Sequence, residues 1–219
     1  MKSRITSLTL VATLSLFVSL TCQSSAAQTL YDNGPINGEF DAWAINFGTI
    51  VSDSFTISGG TSTVTGMSFG AWLLPGDIMS SVEISITSAE DGGTSYFDQV
   101  VSITQSGCNP NNSGFNVCTE TGMFNGPELN NGAYWVNLQN AEVTDGDPTY
   151  WDANSGIGCT SPGCPSSAST NEIGTIPSES FSILGTAQTG TGSTPEPTSL
   201  VLFGSGVVAV IGMMRRKLL

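Results

Sequence analysis

Residues 81–88 read SVEISITS and residues 63–74 read TVTGMSFGAWLL. In the first, Val82, Ile84 and Ile86 fall on one side and Glu83, Ser85 and Thr87 on the other. In the second, Met67, Phe69, Ala71 and Leu73 share a side. Successive side chains of an extended chain point to opposite faces, so a period of two marks a strand with one buried face. Residues 133–138, AYWVNL, repeat the pattern with Tyr134, Val136 and Leu138. Residues 54–58, 97–104 and 180–184 are further strand candidates. Turn chemistry separates them: Gly59-Gly60, Pro75-Gly76-Asp77, Asp91-Gly92-Gly93, Asn130-Asn131-Gly132 and Asp145-Gly146-Asp147-Pro148. No stretch between residues 28 and 193 carries a long apolar period of 3.6. The expectation is an all-β domain over residues 28–187, an antiparallel β-sandwich with the jelly roll among its forms. Residues 145–175 read as one long irregular loop, and residues 188–193 as a flexible Gly/Thr/Ser linker.

The charges are distributed with unusual asymmetry. All five basic residues of the 219 lie at the ends: Lys2 and Arg4, then Arg215, Arg216 and Lys217. Residues 28–193 hold 17 of the 18 acidic residues and no Lys, Arg or His, a formal charge of −17. Nucleic-acid binding needs cations to displace counterions from phosphates, so this body is unsuited to it. The same holds for an anionic membrane surface. Side-chain salt bridges are impossible within the body, and its carboxylates must be solvated, hydrogen-bonded or paired with metal ions.

The two ends read as addresses. Residues 1–27 have the parts of a signal peptide: a basic start, an uncharged and mostly apolar run over residues 5–20, and the small residues Ser25-Ala26-Ala27 before a cut. This predicts a signal helix handled by the Sec translocon and signal peptidase. Cys22 follows Ser19-Leu20-Thr21, which does not fit a lipobox. Residues 194–219 begin with Thr-Pro-Glu-Pro, continue through the uncharged run LVLFGSGVVAVIGMM, and end in Arg215-Arg216-Lys217 and two leucines. A 15-residue helix spans only ~22 Å of a hydrocarbon core ~30 Å thick. Flanking residues can make up the difference, which places a transmembrane helix at about residues 199–214. The basic cluster, as a stop, keeps its end cytoplasmic and leaves the body outside.

A Pro-Glu-Pro motif, a short apolar helix and a terminal basic cluster, in that order, resemble the PEP-CTERM sorting signal of Gram-negative bacteria. The resemblance implies that an exosortase-like enzyme recognises Pro195, Glu196 and Pro197 and removes the tail. It also implies transient anchoring in the inner membrane, then a place at the cell surface or in an extracellular matrix of polysaccharide. The body is similar, more loosely, to domains found in PEP-CTERM proteins, through Phe69-Gly70-Ala71-Trp72, residues 134–141 and Gly146-Asp147-Pro148 with Tyr150-Trp151-Asp152. That likeness brings no activity and no binding residues.

Once the signal peptide is gone, four cysteines remain: Cys108, Cys118, Cys159 and Cys164. An even number in an exported chain argues for two disulfides, and three connectivities are open. Cys108–Cys118 with Cys159–Cys164 is favoured, because each closes a short loop rich in Asn, Gly or Pro. A zinc site has no His to draw on and lacks the usual spacing.

The residues offer little catalytic chemistry. A nucleophilic triad needs a His or Lys base, and a phosphate loop needs Lys. Paired carboxylates, as in a secreted glycoside hydrolase, are the one scheme left, and 17 acidic residues make some such pair inevitable. No cofactor is implied except calcium. Asp145, Asp147, Asp152 and Asn154, with Gly146 and Gly156 between and after them, have the composition of an oxygen-rich calcium loop but not the EF-hand spacing. The alternative is a turn in which Asp and Asn cap their own backbone. Trp135 and Trp151 are candidates for stacking on sugars; the alternative is that the long loop carrying Trp151 covers Trp135. The functional expectation is a non-enzymatic exported surface or matrix protein, with a lectin-like, calcium-assisted module for extracellular polysaccharide as the runner-up and a carboxylate hydrolase third.

Overall fold

The computed structural model describes residues 27–188, and within them every element is a strand. Residues 1–26 of the signal peptide, the linker beyond residue 188 and the whole tail lie outside the described residues. The strands are β1 (Gln28–Asp32), β2 (Asp41–Ala44), β3 (Val51–Ile57), β4 (Ser62–Leu73), β5 (Met79–Ala89), β6 (Gly92–Pro110) and β7 (Asn116–Met123). They continue with β8 (Glu128–Leu129), β9 (Gly132–Val143), β10 (Tyr150–Ala153), β11 (Ala168–Thr170), β12 (Gly174–Ile176) and β13 (Phe181–Ala187). All pairings are antiparallel.

The pairing is sandwich-like. One sheet runs β1-β13-β4-β7, the other β6-β5-β9-β3-β11-β12. The 19-residue β6 joins them: residues up to Ser102 pair with β5, and residues from Ile103 pair with β7. Among the eight principal strands in chain order, the first sheet holds the first, eighth, third and sixth, and the second holds the second, seventh, fourth and fifth. This interleaving is that of a jelly roll. β10 adds to the edge of β4 and carries β2, while β8 pairs with the start of β4.

The alternating residues meet between the sheets. Met67, Phe69, Ala71 and Leu73 from one sheet and Val82, Ile84, Ile86, Val136 and Leu138 from the other have no exposed surface. Aromatic rings bridge the layers: Tyr31 of β1 lies 6.3 Å from Phe55 of β3 and 5.6 Å from Phe181 of β13. Glu83 and Ser85 face outward, half-buried, as their phase predicts, and Thr87 on the same phase is covered. The turns fall where Gly, Asn, Asp and Pro mark them. In the β5–β6 hairpin Asp91 (φ 51°) and Gly93 (φ 83°) both adopt left-handed backbone, which Gly accepts without strain and Asp tolerates.

The expectation of one irregular loop over residues 145–175 needs correction. That segment contains β10, β11 and the start of β12. Strands of three or four residues between Gly, Pro and Asn clusters carry too little alternation to be read locally. They form because β2, β4 and β3 offer unpaired edges.

A core position of β7 breaks the apolar rule. Glu120 of β7 faces inward between Cys118 and Gly122, is fully buried, and has no hydrogen-bond partner for either carboxylate oxygen. Burial raises its pKa from 4.5 to about 8. A raised folded-state pKa means that the native protein holds a proton the unfolded chain releases. This group's stability contribution is therefore complete below about pH 4.5 and is lost as the pH climbs through about 8. Glu120→Met should flatten that fall and raise stability at pH 9 by on the order of 2 kcal/mol, read by urea denaturation across pH 5–9.

Candidate functional site

Among the described residues, Asp152 stands out by accepting four hydrogen bonds on its carboxylate. β10 places it, fully buried, beside β4 and the segment leading into β13. Oδ1 accepts from Trp72 Nε1 (2.6 Å) and the Gly38 amide (3.1 Å); Oδ2 accepts from the Asn37 amide (3.1 Å) and Ser180 Oγ (2.9 Å). Burial pushes its pKa up, and these four donors oppose the rise. The packing is close: a Cβ on Gly70 would sit 2.6 Å from Ser180 Oγ and 2.8 Å from Asp152 Cβ.

The four residues read as a calcium loop are used differently from one another. Asn154 is buried, donating to the Asn33 carbonyl (2.7 Å) and accepting from the Gly156 amide (2.7 Å). Asp145 and Asp147 lie on the β9–β10 turn, where their charges help raise the pKa of Asp77, after desolvation. Thus Asp152 and Asn154 serve as internal hydrogen-bonding struts at one place, and Asp145 and Asp147 stand near Asp77 at another. Among the described residues no three His, Cys, Asp or Glu side chains are grouped so as to hold a metal ion.

The two tryptophans also part company. Trp151 is fully buried, with its ring edge-on to Phe69 and Phe181 and its Nε1 donating to the Ser180 carbonyl (3.0 Å). A side chain sealed in the core cannot stack on a ligand, so the reading of Trp151 as a sugar platform is corrected. Trp135 is half-buried on β9, two residues from Asn137 and on the same outward phase. There, β3, β9 and β5 align Ser54, Trp135 and Thr87 in one row and Ser52, Asn137 and Ser85 in the next. Asn137 donates to Ser85 Oγ (2.9 Å) and Thr87 Oγ1 (3.0 Å), and Glu83 accepts from Gln139 and Asn140 (2.8 Å each). A hollow of about 200 Å³ opens here between Asn137, Gln139, Asp98 and the Asp91-Gly92-Gly93 tip. Asp98 has its pKa raised, first by desolvation and then by Glu83, which lies within hydrogen-bonding reach.

A second hollow of about 510 Å³ is lined by Asn37, Glu39, Asn109, Asn111, Asn112 and Thr119 among others. Its wall is the residue 108–118 loop, closed by a disulfide between Cys108 and Cys118; a second disulfide joins Cys159 and Cys164. The Asn-Pro-Asn-Asn run in a disulfide-closed loop was the available sequence signal for this wall.

Deep in the sandwich lies a group that strand reading did not single out. Asp53 of β3 and Glu179, just before β13, are fully buried. Asp53 Oδ2 accepts from the Glu179 amide (2.7 Å), Ser178 Oγ (3.3 Å) and Asn33 Nδ2 (3.5 Å). Desolvation raises the Asp53 pKa to about 7 and holds Glu179 well above the usual carboxylate range, with Asp53, Asp152 and Asp41 adding to the latter.

Compared with known families, residues 193–217 match the PEP-CTERM protein-sorting motif. The chain therefore carries the C-terminal sorting signal of an exported protein. No curated protein matches the chain.

Removing one donor from Asp152 should be measurable. Trp72→Phe is expected to cost ~1–3 kcal/mol, and Asp152→Ala, which strands four donors, considerably more. Chemical denaturation followed by far-ultraviolet circular dichroism checks the order.

Proposed function

We propose that this chain is a non-enzymatic surface or extracellular-matrix protein, delivered by the Sec translocon and signal peptidase and released from its membrane tail by an exosortase-type enzyme. The observation that carries the reading is the sorting motif at residues 193–217 behind a body without a single Lys, Arg or His. Pro195, Glu196 and Pro197 are the residues the processing enzyme would read. Arg215, Arg216 and Lys217 would hold the tail in place until it acts. Two disulfides suit an oxidising compartment.

The buried carboxylates argue against a hydrolase. Asp53, Glu120 and Glu179 have raised pKa values, yet all three are sealed from any substrate. Asp98 and Glu83 lie at the surface but within hydrogen-bonding reach of each other. Glycoside hydrolysis needs carboxyl groups ~5–9.5 Å apart, with room between them for a glycosidic bond or water.

A second reading, a lectin-like module for extracellular polysaccharide, is favoured by the outer sheet face. Trp135 offers a flat ring beside amides and hydroxyls on neighbouring strands, the combination that suits sugar faces and hydroxyls.

Two measurements separate these readings. Intact-mass analysis of protein from an exosortase-bearing Gram-negative host should show loss of residues 1–27 and of the tail beyond the motif. Glu196→Ala should keep the tail; a tail lost regardless would refute exosortase processing. Affinity electrophoresis through the host's polysaccharide should show retardation that Trp135→Ala abolishes if the lectin reading holds. Equal mobility with and without polysaccharide would reject it.

A further inference from the structure

At one place in the interior, Asp53 Oδ1 and both oxygens of Glu179 have no hydrogen-bond partner. They belong to residues with no exposed surface, and Glu179 feels Asp53 most strongly among its charged neighbours. Asp152 and Asp41 are the other acids acting on Glu179, and Tyr31 and Asp32 approach from the β1 side. Residues 28–193 contain no side chain that could answer this charge with a cation.

Two partners could: a proton or a metal ion. The hydrogen bonding favours the metal. Two carboxyl groups sharing a proton would touch oxygen to oxygen, as Asp98 and Glu83 are placed to do. No hydrogen bond joins the Asp53 and Glu179 carboxyl groups; it is the Glu179 amide that donates to Asp53 Oδ2, while both Glu179 side-chain oxygens lack a partner. Asp53 is furthermore held as an anion is held, with a backbone amide, a serine hydroxyl and an asparagine amide all donating to Oδ2. That leaves Oδ1 as a bare acceptor. Serine oxygens stand beside Asp53: Ser178 Oγ donates to Asp53 Oδ2, accepts from Asn33 Nδ2 and pairs with Ser166 Oγ. Hard divalent cations take sets of this kind, carboxylates completed by neutral oxygens.

We propose that Asp53 and Glu179 form an interior binding site for a divalent cation of the calcium type, linking β3 of one sheet to the segment that enters β13 of the other. The site is separate from the β9–β10 turn of Asp145 and Asp147. It would tie the two layers together through charge at a place where the polyanionic chain has no cation of its own.

The test is thermal unfolding of the purified full chain at pH 8, in chelator and in millimolar CaCl2, with MgCl2 for comparison. Calcium should raise the melting temperature by more than about 5 °C, as expected for a ligand at many times its dissociation constant. The shift should shrink at pH 5, where protons compete for the same oxygens. The double variant Asp53→Asn, Glu179→Gln should lose the shift, whereas Asp145→Asn, Asp147→Asn should keep it. Metal analysis after dialysis should find one bound calcium per wild-type chain, a readout that stands even if the double variant does not fold. Absence of both the shift and the bound ion overturns the proposal, as does a shift that survives in the double variant or vanishes in the turn variant.

Discussion

A folded polyanion without cations has to settle its carboxylates with neutral donors, and residues 28–193 contain 17 carboxylates and no Lys, Arg or His. Hydrogen bonds to an ionised oxygen are the strongest available substitute for an ion pair. They are also directional, so each one fixes a loop. Asp152 draws the Asn37-Gly38 turn, β4 and the entry to β13 to one point through four donors. Asp32 does the same on a smaller scale, accepting from the Gly34 amide and Ser182 Oγ. Glu83 collects the side-chain amides of Gln139 and Asn140 across the β5–β9 pair. The abundance of Asn, Ser and Thr in this chain follows from that need: these are short uncharged side chains that can donate.

The same constraint explains which parts could be read from sequence. Where strands bury one apolar face, local alternation was sufficient: Val82-Ile84-Ile86 and Met67-Phe69-Ala71-Leu73 point inward as their spacing requires. Where structure is made by donors far along the chain, local pattern does not reveal the partners. Asp152 and Asn154 have the residue types of a calcium loop, but Trp72, 80 residues away, and the Asn37 amide, 115 away, determine what Asp152 does. Trp151 likewise looks like a surface aromatic beside Asp152, and only the β10–β4 pairing turns it into the core.

Some of the missed signal was present. Val51, Asp53, Phe55 and Ile57 alternate on the inward face of β3, so the carboxylate sits in phase with three apolar residues. A strand read from residue 54 onward leaves Asp53 out, whereas β3 begins at Val51. Glu120 occupies the inward phase of β7 between Cys118 and Gly122, where small neighbours weaken the alternation. An acidic residue on the buried phase of a strand, in a chain with no basic residue to meet it, is a stronger indicator of unusual chemistry than any cluster of surface acids.

The buried carboxylates thus fall into two kinds with different consequences. Those satisfied by donors, as Asp152 is, carry their stabilisation with them wherever the protein goes. Those with oxygens left without donors, among them Glu120, Glu179 and Asp53, depend on the surrounding medium for a neutralising partner. For Glu120, alone among apolar groups with a pKa of about 8, that partner is a proton. For Asp53 and Glu179, two carboxylates with serine oxygens beside them, a divalent ion is the better match. A cation arriving from outside would succeed where a lysine would not: it enters after translocation, reaches several oxygens at once, and leaves the chain anionic while it is being exported.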